Sequence, residues 1–383
     1  MEGSAGRSFS NQNIAPNDDR NYTSSFNAGL NTSWQIDLFG KIRRQTEAAN
    51  AGFQATVYDR QALIHALIAD VLNRRVAISV LKEQRILAEK NADNREKLYT
   101  IVDNRYDLGV RQTAATDVLL AEENFKSVKA DISLFNRQIA ENVYALDVLL
   151  GQIPGTSQPQ ENGFPLIPDP LDIPTCLPAD LLDRRPDLRA SELRLKAANA
   201  NIGVAVADLY PSLNLSGSLG FNSNETNNLF SVQQLAGSVL SGLTARLFEG
   251  GALRANIRLR ESEAREQTAL YSQTILNALA EVETSLKNER EIIEELKSQE
   301  ESVIALRKAE NIAQQRYIRG IITLRELLDI QQPLYLAEQN LLSLQQSMWN
   351  NRVTLYLALG GDWLSDSTTL NCTNIRGQKE QKA

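Results

Sequence analysis

The sequence predicts a mainly helical fold with a small β part, built as two copies of one strand-and-helix unit. Three observations predict it: where the helix breakers fall, a repeat in the glycine spacing, and a period-two pattern ahead of each helical stretch. Of 11 prolines, seven lie between Pro154 and Pro178, and none falls from Asn17 to Ile153 or from Ser212 to Gln332. Glycine is absent from 53–108, 110–150, 252–319 and 321–359. Long stretches free of both breakers and rich in Ala, Leu, Glu, Gln, Lys and Arg favour helix.

The surviving glycines repeat. Gly40 to Gly109 and Gly251 to Gly320 each span 69 residues, and Gly109 to Gly151 and Gly320 to Gly360 span 42 and 40. This is an internal duplication with a period of about 210 residues. Arg105-Tyr106-Asp107-Leu108-Gly109-Val110 recurs as Arg316-Tyr317-Ile318-Arg319-Gly320-Ile321, and Asp37-Leu38-Phe39-Gly40 recurs around Arg246-Leu247-Phe248-Glu249. Each half therefore predicts a long helical arm, a glycine turn and a shorter returning arm. Glycine suits the turn because it alone takes the left-handed conformation without penalty. Apolar residues Ile275, Leu279, Val282, Leu286, Ile293, Leu296 and Val303 predict a narrow coiled-coil seam. Glu289, Arg290, Glu294 and Lys297 then fall on a solvated face.

Ahead of each long arm the pattern changes to period two. Phe26, Ala28, Leu30, Thr32, Trp34, Ile36 and Leu38 alternate with Asn27, Gly29, Asn31, Ser33, Gln35 and Asp37. Leu213, Leu215, Gly217, Leu219 and Phe221 alternate with small polar residues, and Leu235, Val239, Leu243 and Leu247 are placed on one face of a further strand. One apolar and one polar face fits a strand between lipid and water, and fits an ordinary soluble hairpin too. Three or four strands cannot close a barrel, and an open sheet in lipid would leave backbone groups unpaired. Membrane-embedded strands of this kind require several subunits to share one barrel.

Composition excludes more than it selects. With 40 basic and 47 acidic residues the chain carries −7, which argues against a nucleic-acid partner. No apolar run is long enough for a transmembrane helix. Two cysteines are no disulfide scaffold. The single histidine, His65, has no cysteine neighbours and reads as helix packing, so no metal is expected. No nucleotide loop, nucleophile elbow or cofactor motif is present, and no enzyme is predicted. Composition alone would suit a soluble two-domain protein.

Longer motifs decide among these. Leu181-Leu182-Asp183-Arg184-Arg185-Pro186-Asp187-Leu188-Arg189-Ala190-Ser191-Glu192 opens a helix that leads to Tyr210-Pro211-Ser212-Leu213. Together with Ser33-Trp34-Gln35-Ile36-Asp37-Leu38-Phe39-Gly40-Lys41 and Leu355-Tyr356-Leu357-Ala358-Leu359-Gly360-Gly361-Asp362-Trp363, it resembles the TolC-like outer-membrane efflux channels, in the NodT-like lipoprotein branch that works with RND transporters. The resemblance runs over roughly 5–363. It implies a homotrimer in which each subunit gives four strands to a 12-stranded barrel in outer-membrane lipid. It also implies that the helices form an α-barrel across the periplasm. Partners would be a periplasmic adaptor and an inner-membrane RND transporter. The runner-up is a periplasmic coiled-coil adaptor without a channel.

On this reading the first strand pair occupies 1–39, the first hairpin 40–151, a Pro-rich equatorial segment 152–178, and a helix 179–210. The second strand pair is 211–249, the second hairpin 250–360 and the tail 361–383. The family ordinarily has an export signal and two helices before the first strand, so the start is expected to be a truncated or misplaced one.

The resemblance also assigns sites. Arg105, Tyr106, Gly109, Val110, Arg316, Gly320 and Ile321 are candidates for adaptor docking at the tips. Glu326, Asp329, Asp117 and Tyr317 are candidates for a gate, with Asp117 two residues further from its glycine than is usual. Ile322 stands where some members carry a gate-locking arginine, which Arg319 or Arg325 would have to replace. Arg184, Arg185, Pro186, Asp187, Pro211, Trp34, Asp37, Phe39 and Gly40 form the structural signature. Cys176 and Cys372 are candidates for a periplasmic disulfide.

Overall fold

The structure, a computed structural model, describes residues 2–9, 22–109, 113–156 and 184–361. Val110, Cys176, Cys372 and the whole of 157–183 and 362–383 lie outside the described residues. The elements run β1 (Glu2–Phe9), β2 (Tyr22–Ile36), α1 (Lys41–Asp107), α2 (Ala115–Leu149), α3 (Pro186–Ala207), β3 (Ser212–Ser223), β4 (Leu235–Thr244), α4 (Ala252–Ile318) and α5 (Leu324–Ala358). Two compact units partition them: Met1–Thr56 with Ala190–Tyr271, and Val57–Arg189 with Ser272–Ala383. The fold is mainly helical with one antiparallel sheet. α1 and α4 are both 67 residues long, and α2 and α5 both 35, so the duplication is kept to the residue in the helices.

The first unit holds the sheet, in the order β1-β2-β3-β4, all neighbours antiparallel. Register aligns the alternation across strands. Trp34 faces Leu215, Leu30 faces Leu219 and Ala28 faces Phe221, while Leu213 faces Leu243 and Gly217 faces Val239. Directly opposed residues share a face, so one face of β2–β4 is apolar. The other carries Asn27, Asn31, Ser33, Gln35, Asn214, Ser216 and Ser218, with a Ser218–Ser238 hydroxyl bond of 2.8 Å. The apolar face is bare: Trp34 is 63% exposed, and every residue of β4 is exposed. Leu247, expected to extend that strand, lies beyond its end at Thr244. Gly220 sits against Gly29, where a Cβ would come within 2.9 Å of the Ala28 carbonyl oxygen.

The strand-to-helix joint is built from signature residues. The Asp37 carboxylate accepts from the backbone N–H groups of Ile42 (3.1 Å) and Arg43 (3.0 Å), satisfying donors that the first turn of α1 cannot pair. Partial desolvation pushes this carboxyl up, but the bonds from Arg43 and Ile42 outweigh it and hold it below the ordinary aspartate range. Gly40 supplies the turn at φ +80°. Phe39 stacks on Tyr210 at 4.7 Å, and Lys41 pairs with Asp208 at 2.6 Å.

The second unit is a bundle of helical hairpins with a heptad seam. In α4 the positions 278, 282, 285, 289, 292, 296, 299, 303, 306, 310, 313 and 317 are buried or half-buried at alternating steps of four and three, the 3.5-residue period of a coiled coil. This corrects the predicted seam. Val282, Leu296 and Val303 belong to it, but Leu279 and Ile293 are exposed, and polar Ser285, Glu289 and Gln299 take seam positions. Glu289 is therefore no part of a solvated face: its carboxylate accepts from Arg352 Nε (2.8 Å) and Asn351 Nδ2 (3.1 Å). Arg95 of α1 is likewise buried, donating to Asn124 Oδ1 (3.0 Å) and Gln332 Oε1 (2.8 Å) with its guanidinium over the Tyr335 ring. Hydrogen bonding in the seam, as well as apolar burial, aligns these helices.

The remaining signature residues anchor the start of α3. Pro186 is its first residue, where a missing N–H costs nothing. Arg185, buried, holds Asp187 with two bonds of 3.1 and 2.8 Å, Glu281 at 2.8 Å and the Ala358 carbonyl at 3.3 Å. Arg184 packs where Gly360, at φ +92°, leaves room: a Cβ there would meet Arg184 Cβ at 3.2 Å. His65 is packed beside Gly361 in the same way.

Candidate functional site

The two hairpin tips carry the candidate residues, and they differ. At the second tip α4 ends in two bonds, Ile321 N–H to Arg316 C=O (2.9 Å) and Gly320 N–H to Tyr317 C=O (2.9 Å), with Gly320 at φ +72°. That is the Schellman pattern of helix termination. At the first tip Gly109 N–H bonds to Tyr106 C=O at 2.9 Å with φ +66°. A Cβ on Gly109 would meet nothing within 4 Å. The returning helix starts nine residues after Arg105 at Ala114, but seven after Arg316 at Thr323.

The returning helices are capped unequally. Thr323 Oγ1 accepts from Glu326 N–H at 3.3 Å, while Glu326 Oε2 accepts from Thr323 N–H at 2.7 Å and from its hydroxyl at 3.0 Å, a reciprocal capping box. The Thr323 backbone N–H, then its hydroxyl, hold the Glu326 carboxyl below the ordinary glutamate range. Ala114 has no side-chain oxygen, so at α2 only half the box forms, with Asp117 Oδ2 accepting from Ala114 N–H at 3.0 Å. Asp117 and Glu326 are thus equivalent, each three residues past its cap. Asp329 corresponds to Leu120, so the first hairpin offers one acidic residue where the second offers two.

Glu326 and Asp329 are exposed, on the side of α5 away from buried Leu324, Leu327 and Leu328. Asp329 makes no hydrogen bond or ion pair among the described residues. Arg319 and Arg325, also exposed, make no ion pair among them either. One turn further on stands Pro333, inside the helix. It has no N–H to give the Asp329 carbonyl, a disruption that ordinarily kinks a helix.

Tyr317, a gate candidate, is not bare. It is buried in a cluster with Val102, Ala121, Ala313, Leu324, Leu327 and Leu328. Arg105 lies over its ring at 5.3 Å. Burial pushes its hydroxyl up; Arg105 opposes that shift and Asp117 adds to it. Tyr106, its counterpart, is exposed, as are Arg316 and Ile321. Sequence reasoning missed Leu108 and Ile318, both bare aliphatic residues at the tips. Their signal was a place within two residues of the turn glycines. Among the described residues no group of His, Cys, Asp or Glu could hold a metal, and no helix is long and apolar enough to cross a membrane.

A sheet with one apolar and one polar face, in a chain of long helical hairpins, fits the class of outer-membrane channels. The comparisons agree: residues 1–152 and 177–361 match the family of outer membrane efflux proteins, and the chain belongs to that family. It is 32% identical over 351 residues to the solvent efflux pump outer membrane protein SrpC of Pseudomonas putida, covering 91% of this chain and 74% of that protein. It is also 32% identical over 354 residues to the pyoverdine export outer membrane protein OpmQ of Pseudomonas putida, covering 91% and 73%. Among solved structures it is similar to the outer-membrane channel OprN, with a TM-score of 0.84 at 30% identity over 94% of this chain and 81% of that one. The chain is a non-enzymatic channel protein, and the adaptor reading without a channel falls away.

Proposed function

We propose that three copies of this chain close a single 12-stranded barrel through their sheet edges, and that their hairpins form a tunnel with an acidic gate at the tips. Each chain brings four strands and two unpaired edges, β1 and β4. A strand edge is a template for another chain, and closure is the arrangement that leaves no unpaired edge in lipid. Efflux is then passive, driven by an inner-membrane RND transporter and joined through a periplasmic adaptor. Bare Leu108, Ile318 and Ile321 beside Gly109 and Gly320 suit close docking of that adaptor's own helical tips.

The observation that carries the gate is the pair Glu326 and Asp329, exposed on one side of α5. Three copies bring six carboxylates together. Such a ring attracts cations, and the capping box holds its Glu326 members below the ordinary glutamate range. Glu326→Ala with Asp329→Ala is expected to raise single-channel conductance in planar bilayers and to weaken block by multivalent cations. Unchanged conductance and block would remove these residues from the gate. Cargo classes follow the relatives: similar proteins serve solvent efflux and pyoverdine export.

A further inference from the structure

The long helices α1 and α4 place their seam residues at matching positions, 211 apart: 78 with 289, 88 with 299, 92 with 303, 95 with 306 and 102 with 313. All ten positions are buried or half-buried. The match fails at the last one. Tyr317 is 8% exposed, whereas Tyr106 is 45% exposed. The returning helices fail in the same place: Leu328 is 7% exposed and its counterpart Leu119 is 64% exposed.

Tyr317 is buried in a cluster drawn from both hairpins of its own chain, Val102 and Ala121 from the first and Ala313, Leu324, Leu327 and Leu328 from the second. Arg105 of α1 lies over its ring at 5.3 Å, and Asp117 of α2 acts on its hydroxyl. Both groups have counterparts in the second hairpin: Arg316 for Arg105 and Glu326 for Asp117. The Arg316 side chain is exposed and makes no ion pair or hydrogen bond among the described residues. The second hairpin therefore carries the register counterparts of both groups that act on Tyr317, and the first hairpin presents a bare tyrosine. One chain cannot bring them together, because its two hairpins already meet through Arg105 and Tyr317.

We infer that Tyr106 of one copy seats between Arg316 and Glu326 of the next, with Leu119 packed beside it, repeating between chains the stacking of Arg105 on Tyr317 within one. The occupant is a second copy of this chain, since only that copy carries the tyrosine at the end of a matching seam. This rests on the reading that copies close a ring. Alternating in-chain and between-chain contacts of one design would then run around the mouth. The contact would act as a latch at the tip, released when neighbouring hairpins part.

The test uses the full chain in outer membranes, with Cys176→Ser and Cys372→Ser as background. Tyr106→Cys and Arg316→Cys are combined and treated with a short bifunctional methanethiosulfonate, because a stacked Arg–Tyr pair exceeds the Cα separation of about 7 Å that a direct disulfide tolerates. The expected result is covalent dimer and trimer that survive boiling in detergent, absent from either single-cysteine variant. Arg105→Cys with Tyr317→Cys should instead cross-link within one chain and stay monomeric. Absence of covalent oligomers while unboiled samples still run as trimers would overturn the latch and leave the ring standing. Monomers in the unboiled background protein would overturn both. As a second measurement, Tyr106→Ala should lower the temperature at which the trimer dissociates, while Tyr106→Phe keeps the stack and the temperature. Equal behaviour of the two variants would overturn the role of the ring.

Discussion

The two hairpins have helices of equal length and a seam in the same register, yet they fill that seam differently. In the second, Glu289 and Arg352 form a buried ion pair at 2.8 Å, their side chains 7% and 10% exposed. At the matching positions of the first stand Ile78 and Val143, both buried. The trade runs the other way higher up, where Arg95 of the first hairpin matches Leu306 of the second. The seam period sets which positions are inside, and either an apolar pair or a satisfied polar group can occupy them. Polar fillings add direction, since each has one correct partner.

The largest expected effect tests that equivalence. Glu289→Ala leaves Arg352 buried without its carboxylate and should cost about 3–5 kcal/mol in chemical denaturation. Glu289→Ile with Arg352→Val copies the first hairpin and should restore stability, or exceed the original by about 1–4 kcal/mol. A double variant as damaged as the single one would show that the two hairpins are not interchangeable.

The next effect concerns the returning helices. Asn124 of α2 matches Pro333 of α5. Pro333→Ala restores a donor to the Asp329 carbonyl and should stabilise α5 by up to about 3 kcal/mol, read as a rise in melting temperature. If the proline is tolerated because it bends α5 beside the proposed gate, the same variant will lower conductance. No change in either measurement would mean that the helix is already relaxed around it.

The smallest effect sharpens the difference between the caps. Thr323→Ala makes the start of α5 resemble that of α2 and should cost about 1 kcal/mol. The Glu326 carboxyl is lowered in the folded chain, so its share of the cap is complete above the ordinary glutamate range. It is lost as pH falls through the lowered value. A melting-temperature profile against pH should therefore drop on its acid side, and Glu326→Gln should flatten that drop. A drop of the same size in the Gln variant would assign it to other carboxylates.

Much of the architecture was legible because breakers and turn glycines act locally. Gly40, Gly109, Gly151, Gly320 and Gly360 all take positive φ, and the helices lie between them. Strand alternation was legible because register keeps opposed residues on one face. The seam was misread because only apolar residues were counted: Leu279 and Ile293 drew the stripe away from Ser285, Glu289 and Gln299, whose burial depends on partners 38 to 66 residues away. The equivalence of Asp117 with Glu326 was hidden by the two extra residues in the first tip. Counting from the glycine misplaces it, whereas counting from the cap does not.

Equal arm lengths also restrict how such a chain can change. One residue inserted into α1 would advance everything beyond it by about 1.5 Å and turn it by about 100°. The seam would leave its partners, and the first tip would stand higher than the second. A tolerated insertion must come in whole seam periods and appear in α1 and α4 together, with matching additions on the way back in α2 and α5. Length variation among working chains of this design should therefore collect in the tips and in the segment between the halves, while the shafts stay fixed in step with each other.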